Sequence, residues 1–414
     1  MTIDRPDLAD FTRVADQWLA ARFDRVAQDG RRRFEWGVGP DEVRVFQEPD
    51  PAVEVDALPA LRRWRRELCA GGYGWIDGPL EYGGAGLPAA YRRAFESLLR
   101  NYVVVGDGAL TISLGMIAPT ILRFGTEEQR RELLPAMYSG DAIACQLFSE
   151  PGAGSDLAAI GTRAVRDGDG WRITGQKVWT SGAHLADIGE LIARTAVEPR
   201  HKNLTAFIVD MHAPGVEVRP LRQMTGGAAF NEVFLDNVFV SDDRRLGEVG
   251  AGWQIALTTL AHERNAMGNS SFGGAGILST ERFIGLIRSQ DLQDDPAVRR
   301  DFGELVSHLR MARWTNEVMA ARARSGAAPG PEIALNKIGL SDNMRRVGDF
   351  VGGVLGPAGV ADAGEWGTFA WTSVALGAPG YRLGGGTDEI IRNTVAQRVL
   401  GLPRDDERAG KVAR

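Results

Sequence analysis

The chain has 414 residues, of which 44% are apolar and 25% charged, and a net charge of −6. That length suits about two to three domains with a sizeable core. The acidic balance gives no electrostatic reason to bind nucleic acid or an anionic membrane, and no apolar run approaches a membrane span. Cys69 and Cys145 stand far apart, and the five histidines never fall at metal-ligand spacing, so neither a redox pair nor a metal site is expected. The opening "MTIDRPDLADF" lacks the basic-then-apolar order of a signal peptide, and the expectation is a soluble, cytoplasmic protein.

Residues 1–139 read as a helical domain. "DLADFTRVADQWLAARFDRVAQ" and "AAYRRAFESLLRNYVV" carry apolar residues at helical spacing. In "GTEEQRRELLPAM", Thr126 followed by Gln129 three residues on predicts a capping box. From about Ala142 the texture changes, and residues 140–250 read as a small antiparallel β domain. "TRAVRDGDGWRITGQKVW" is two alternating segments around Asp-Gly-Asp-Gly, which predicts a hairpin. "LTAFIVD", "GVEVRPL" and "NEVFLDNVFV" are further strands by composition. Helical periodicity returns over 251–403, and a charged tail, 404–414, follows. The fold class is mainly α with a central small antiparallel β domain. Blocks segregated in this way argue against a βαβ nucleotide fold.

Three stretches could carry chemistry. "QLFSEPGAGSDL" is the densest turn in the chain. It reads equally as a tight Gly-supported connection or as a loop whose N–H groups and hydroxyls meet a polar ligand. In "KVWTSGAH", Trp179 ends a strand beside Thr180, Ser181 and Gly182, although a tryptophan more often fills a core than stacks on a cofactor. In "LTTLAHERNAMG", Ala256, Leu260, Glu263 and Met267 fall on one helical face, so Glu263 interrupts an apolar stripe. No basic residue lies three or four positions from it. An ion pair with another helix would explain it; so would a carboxyl tuned by burial for proton transfer. The triple glycine Gly384–Gly386 lacks the Lys-Ser/Thr ending of a P-loop, and Asp388 and Glu389 weaken the case for a phosphate at the next helix.

Taken in order, "EYGGAGL", "RFGTEEQRRELLPAM", "FSEPGAGSDL", "GQKVWTSG" and "GGTDEIIRN…RVLGLP" resemble the acyl-CoA dehydrogenase family over nearly the whole chain. The resemblance implies that family's fold: a helical domain, a β-barrel-like domain and a four-helix-bundle domain. It also implies bound FAD, a tetramer, and α,β-dehydrogenation of an acyl-CoA with electrons passing to an electron-transferring flavoprotein. By position, Gln146, Phe148 and Ser149 and the segment Trp179, Thr180 and Ser181 would flank the isoalloxazine ring. Ser155 and Arg264 would meet the acyl-CoA. Gly356, Thr387 and Glu389 would meet the adenosine-diphosphate half of FAD.

The chain departs from the family pattern twice. Many members place the catalytic glutamate where Gly385 stands. In isovaleryl-type and some long-chain members it precedes the arginine matched by Arg264, which here is Glu263. Gly385 would then offer its N–H to the thioester oxygen. An Arg-x-x-Phe-Gly segment after Arg264, which reaches a partner's FAD, is replaced by "STERFIGLIRSQD". This departure suits a mixed tetramer in which the chain is a partner subunit, as against a homotetramer of active chains. A flavin monooxygenase on the same fold is the third reading.

Overall fold

The computed structural model describes residues 6–26, 34–39, 41, 43, 50–106, 108–269, 278–325 and 330–403. Two compact units form: Met1–Arg31, Pro49–Arg222 and Ala228–Ala266 make the first, and Arg32–Glu48, Gln223–Gly227 and Met267–Arg414 the second. The tail 404–414 lies outside the described residues.

In the first unit, α1 (Leu8–Ala20) starts at Asp7, whose carboxylate accepts from the Ala9 N–H, and buries Phe11, Ala15 and Leu19 at four-residue intervals. α2 (Pro51–Ala70) is capped by Asp50 in the same way, with Pro51 at its first position. After α3 (Ala89–Leu99) a π-helical turn over Ser113–Ile117 runs directly into α4 (Ala118–Phe124). α5 (Glu127–Tyr138) begins with the expected capping box, both reciprocal bonds between Thr126 and Gln129 being made.

The strands are β1 (Ala144–Leu147), β2 (Arg163–Asp167), β3 (Gly170–Ser181), β4 (Ile188–Arg194), β5 (Leu204–Asp210), β6 (Val216–Leu221), β7 (Phe230–Ser241) and β8 (Arg245–Leu246). They form one sheet in the order β6-β7-β3-β2-β4-β5-β8, with β1 added beside β4. The hairpin lies where expected: Asp167 pairs with Gly170, and Gly168 takes the left-handed φ of 58° that the turn needs. The sheet is mixed, however. β1 runs parallel to β4 from Ala144↔Ile188 to Leu147↔Leu191, and β2 touches β4 in parallel at Arg163↔Arg194. Alternating hydrophobicity shows that a strand has an inner face but says nothing of its direction, and the chain between β1 and β4 is long enough for either.

Both faces of the sheet are apolar. Cys145, Leu147, Leu191, Phe207 and Val233 fill one side. On the other side Phe148, Ile192, Ala206 and Ile208 meet Ile117 and Ile121, Leu134 and Met137, and Ile255 and Ala256 of α6 (Gly252–Asn269). This second core carries the candidate site.

The second unit contains α7 (Thr280–Ser289), α8 (Pro296–Arg324), α9 (Ala334–Leu355), α10 (Thr372–Leu383) and α11 (Asp388–Arg398). α9 packs against α8, α10 and α11, around a core that includes Phe283, Met344, Val347, Phe350 and Trp371.

Candidate active site

The segment 146–157 leaves β1 as a loop held at both ends. Lys177 on β3, 0% exposed, spends its three donors on Phe148 O at 3.0 Å, Ile192 O at 2.9 Å and Glu150 Oε1 at 2.7 Å. Glu150 also accepts from the N–H groups of Gly161 at 2.5 Å and Thr162 at 3.0 Å. Burial alone would raise the Glu150 carboxyl, but the Lys177 charge and these hydrogen bonds outweigh it and hold the pKa down. Burial pushes Lys177 itself down to about 8, against the pull of Glu150. At the far end the Arg194 guanidinium donates to Ala158 O and Ile160 O. Between these anchors Gly152, Gly154 and Ser155 are exposed, and an added Cβ at either glycine would meet nothing within 4 Å. The loop therefore has a fixed frame and an open rim.

Trp179 is displayed rather than packed. The β3–β7 register slips between Lys177 and Thr180, and Trp179 sits in that bulge with a φ of 61°, strained for a bulky side chain. It is 57% exposed, its ring edge-on to Phe230 with centroids 5.7 Å apart. Ser181 is half-buried, whereas Thr180 is buried and its hydroxyl has no hydrogen-bond partner among the described residues. Phe148 lies in the core and Gln146 is half-buried on the same face of β1. The Gln146 Nε2 also lacks a partner among the described residues. Trp179 therefore presents an exposed indole on strained backbone at the end of β3.

Glu263 is half-buried on α6, four residues beyond the fully buried Thr259 and on its face of the helix. The backbone of Arg264 continues the helix, but its side chain lies outside the described residues.

In the second unit Gly385 and Gly386 take left-handed φ values of 67° and 94° and deliver the chain into α11. Thr387 caps that helix, its hydroxyl accepting from the Ile390 N–H at 3.3 Å, and Glu389 is exposed. Asp388 is buried and accepts from Lys337 at 2.7 Å, Ser341 at 2.7 Å and Arg382 at 2.9 Å. Burial works against the charge of Asp388, yet these three donors keep its pKa lowered. Gly356 follows α9 with a φ of 50° and is exposed. On α7, Arg282 is turned inward, its guanidinium over the rings of Trp366 at 5.1 Å and Trp371 at 5.6 Å.

The sequence reading passed over Lys177, Glu150, Glu190 and Arg282, and took Asp388 only as an acidic residue of a helix first turn. A signal existed for one of them: Glu190 is an ionisable residue inside the otherwise apolar run 188–193.

The first unit thus joins helices to a mixed sheet that carries a polar loop and a displayed indole, and the second unit is helical. The match is direct at the level of sequence: the N-terminal, middle and C-terminal domains of acyl-CoA dehydrogenase match residues 45–141, 145–238 and 250–400. The chain belongs to the acyl-CoA dehydrogenase family. Among its relatives, acyl-CoA dehydrogenase FadE34 of Mycobacterium tuberculosis is 37% identical over 403 residues, covering 94% of this chain and 53% of the relative. The chain thus spans about half the length of that protein. Acyl-CoA dehydrogenase IpdE1 of the same organism is 36% identical over 360 residues, covering 86% of this chain and 91% of the relative. The solved structure named Tcur3481-Tcur3483 steroid ACAD has a TM-score of 0.70 at 28% identity, covering 98% of this chain and 100% of that one.

Proposed function

We propose that this chain binds FAD and oxidises an acyl-CoA thioester to the trans-2-enoyl-CoA, with Glu263 as the base. The observation that carries the reading is Trp179, a large ring held exposed on strained backbone next to the anchored loop 149–155. FAD, when bound, supplies the acceptor for the β-hydride. Trp179 would stack beside its ring, with Gln146, Phe148, Ser149, Thr180 and Ser181 around it; the unpaired Gln146 Nε2 fits a ring carbonyl or nitrogen. Gly356, Thr387 and Glu389 would serve the adenosine-diphosphate half. Ser155 and Arg264 would hold the acyl-CoA. Glu263 takes the α-proton, and the Gly385 N–H donates to the thioester oxygen as enolate charge develops. The electron acceptor in this reading is an electron-transferring flavoprotein. For the acyl group the reading is a ring-bearing, steroid-type chain, supported by the name of the solved neighbour.

Anaerobic stopped-flow tests the base. Glu263→Gln should keep FAD and fold while flavin reduction slows by about 10²-fold or more; a wild-type rate places the base elsewhere. Adding Gly385→Glu should restore only part of the rate, because a φ of 67° costs a side chain about 1–2 kcal/mol.

One observation favours a mixed tetramer over four identical subunits. Arg282 is the only arginine in the first two turns of α7, and it is buried against Trp366 and Trp371 rather than offered outward. A partner's pyrophosphate would then lack its usual arginine. Light scattering with flavin analysis should give a tetramer holding less than one FAD per chain when this chain is purified alone. Full occupancy would favour the homotetramer.

A further inference from the structure

One helical turn before Glu263, α6 makes a buried polar contact that the proposed chemistry does not use. Glu190 stands in the middle of β4, 0% exposed, between Ile188 and Ile192 on the apolar face of the sheet. Its Oε1 accepts from the Thr259 hydroxyl of α6 at 2.8 Å, and Thr259 Oγ1 lies 2.9 Å from Thr120 Oγ1 of α4. Thr120 also reaches Met116 O at 2.9 Å, within the π-helical turn. Glu190 Oε2 has no hydrogen-bond partner among the described residues. The same holds for the Nε2 of Gln146, its register neighbour on β1.

This arrangement is costly for stability. A leucine or methionine would fill the same volume without leaving a polar atom unpaired in an apolar core. The hydrogen bond to Thr259 does something that apolar packing through Ile255 and Ala256 does not. It is directional, so it selects one rotation and one height of α6 on the sheet. Thr259 and Glu263 share a helical face, and β4 is paired in register with the strand that bears Gln146.

We propose that Glu190 is a positioning residue: through Thr259 it locks α6 onto the β1–β4 pair and so sets where the Glu263 carboxylate stands. The proposal rests on Glu263 being the base. Glu190 does not touch the reacting atoms and acts only through the helix.

Glu190→Leu, Glu190→Gln, Thr259→Val and Glu263→Gln are compared in the FAD-loaded protein. Glu190→Leu should melt no lower than wild type, yet reduce flavin 10- to 100-fold more slowly, the scale on which misplacing a reacting group is felt. The loss should fall on kcat, with the acyl-CoA saturation constant within about twofold of wild type. Amide exchange over residues 259–266 should speed up, a change that packing alone does not require. Glu190→Gln keeps the acceptor for Thr259 and should recover most of the rate. Thr259→Val should behave like Glu190→Leu, and carries the test if the leucine variant does not fold. Wild-type kcat and exchange in Glu190→Leu and Thr259→Val, with Glu263→Gln slow, overturn the positioning role alone. A fast Glu263→Gln overturns the base instead.

Discussion

Two ionisable side chains are fully buried in the same sheet and fare differently. Every donor of Lys177 has an acceptor, and its partner Glu150 accepts from two further N–H groups. Glu190, equally buried, has one oxygen paired and one without a partner among the described residues. The first arrangement holds the loop frame from which Ser149 and Ser155 project. The second crosses from the sheet to a helix and leaves hydrogen-bonding capacity unused. A satisfied buried charge reads as structure, because removing either member strands the other. A half-satisfied one lowers stability where it stands, which points to a role outside stability.

The sharpest way to break this contrast is Lys177→Met. It strands the Glu150 carboxylate and should cost about 3–5 kcal/mol, read by urea unfolding, with loss of retained FAD. A loss below about 1 kcal/mol would remove the distinction between the two sites. Asp388→Asn is the intermediate case: the charge that gathers Lys337, Arg382 and Ser341 disappears, but an amide remains to bond them. Thermal unfolding should register about 1–3 kcal/mol, smaller than for Lys177→Met because Arg382 is half-exposed and already hydrated.

The smallest effect near pH 5, and of opposite sign, is expected for Glu190→Leu, a change from neutral to on the order of 1 kcal/mol more stable. Its pH dependence sharpens the contrast further. Burial raises Glu190 to about 8 from an ordinary 4.5, with the Thr259 bond pulling the other way. The native state therefore holds a proton that the unfolded chain has released, and stability erodes as pH rises from 4.5 through 8. Glu190→Leu should abolish that slope, so the two melting curves converge near pH 5 and separate by pH 8. Parallel curves over that interval would mean that Glu190 is ionised when folded.

Local chemistry made much of this protein legible before its structure. The capping box at Thr126 and Gln129 and the Asp-Gly hairpin joining β2 to β3 depend on neighbours in the chain, and both form as expected. The same holds for the helix α6. The glycines around Gly385 were legible as a loop, and their left-handed angles give the reason.

What the sequence by itself determined was therefore the family, the order of helical and β blocks, and the list of candidate site residues. Tertiary structure alone decided that β1 lies parallel to β4, that Trp179 is displayed instead of packed, and that Arg282 points inward among tryptophans. It also paired Lys177 with Glu150 across 27 positions and Glu190 with Thr259 across 69. The physical reason is one of range. Caps, turns and periodicity are settled by interactions within a few residues, whereas a buried charge is acceptable or costly according to which distant donors reach it.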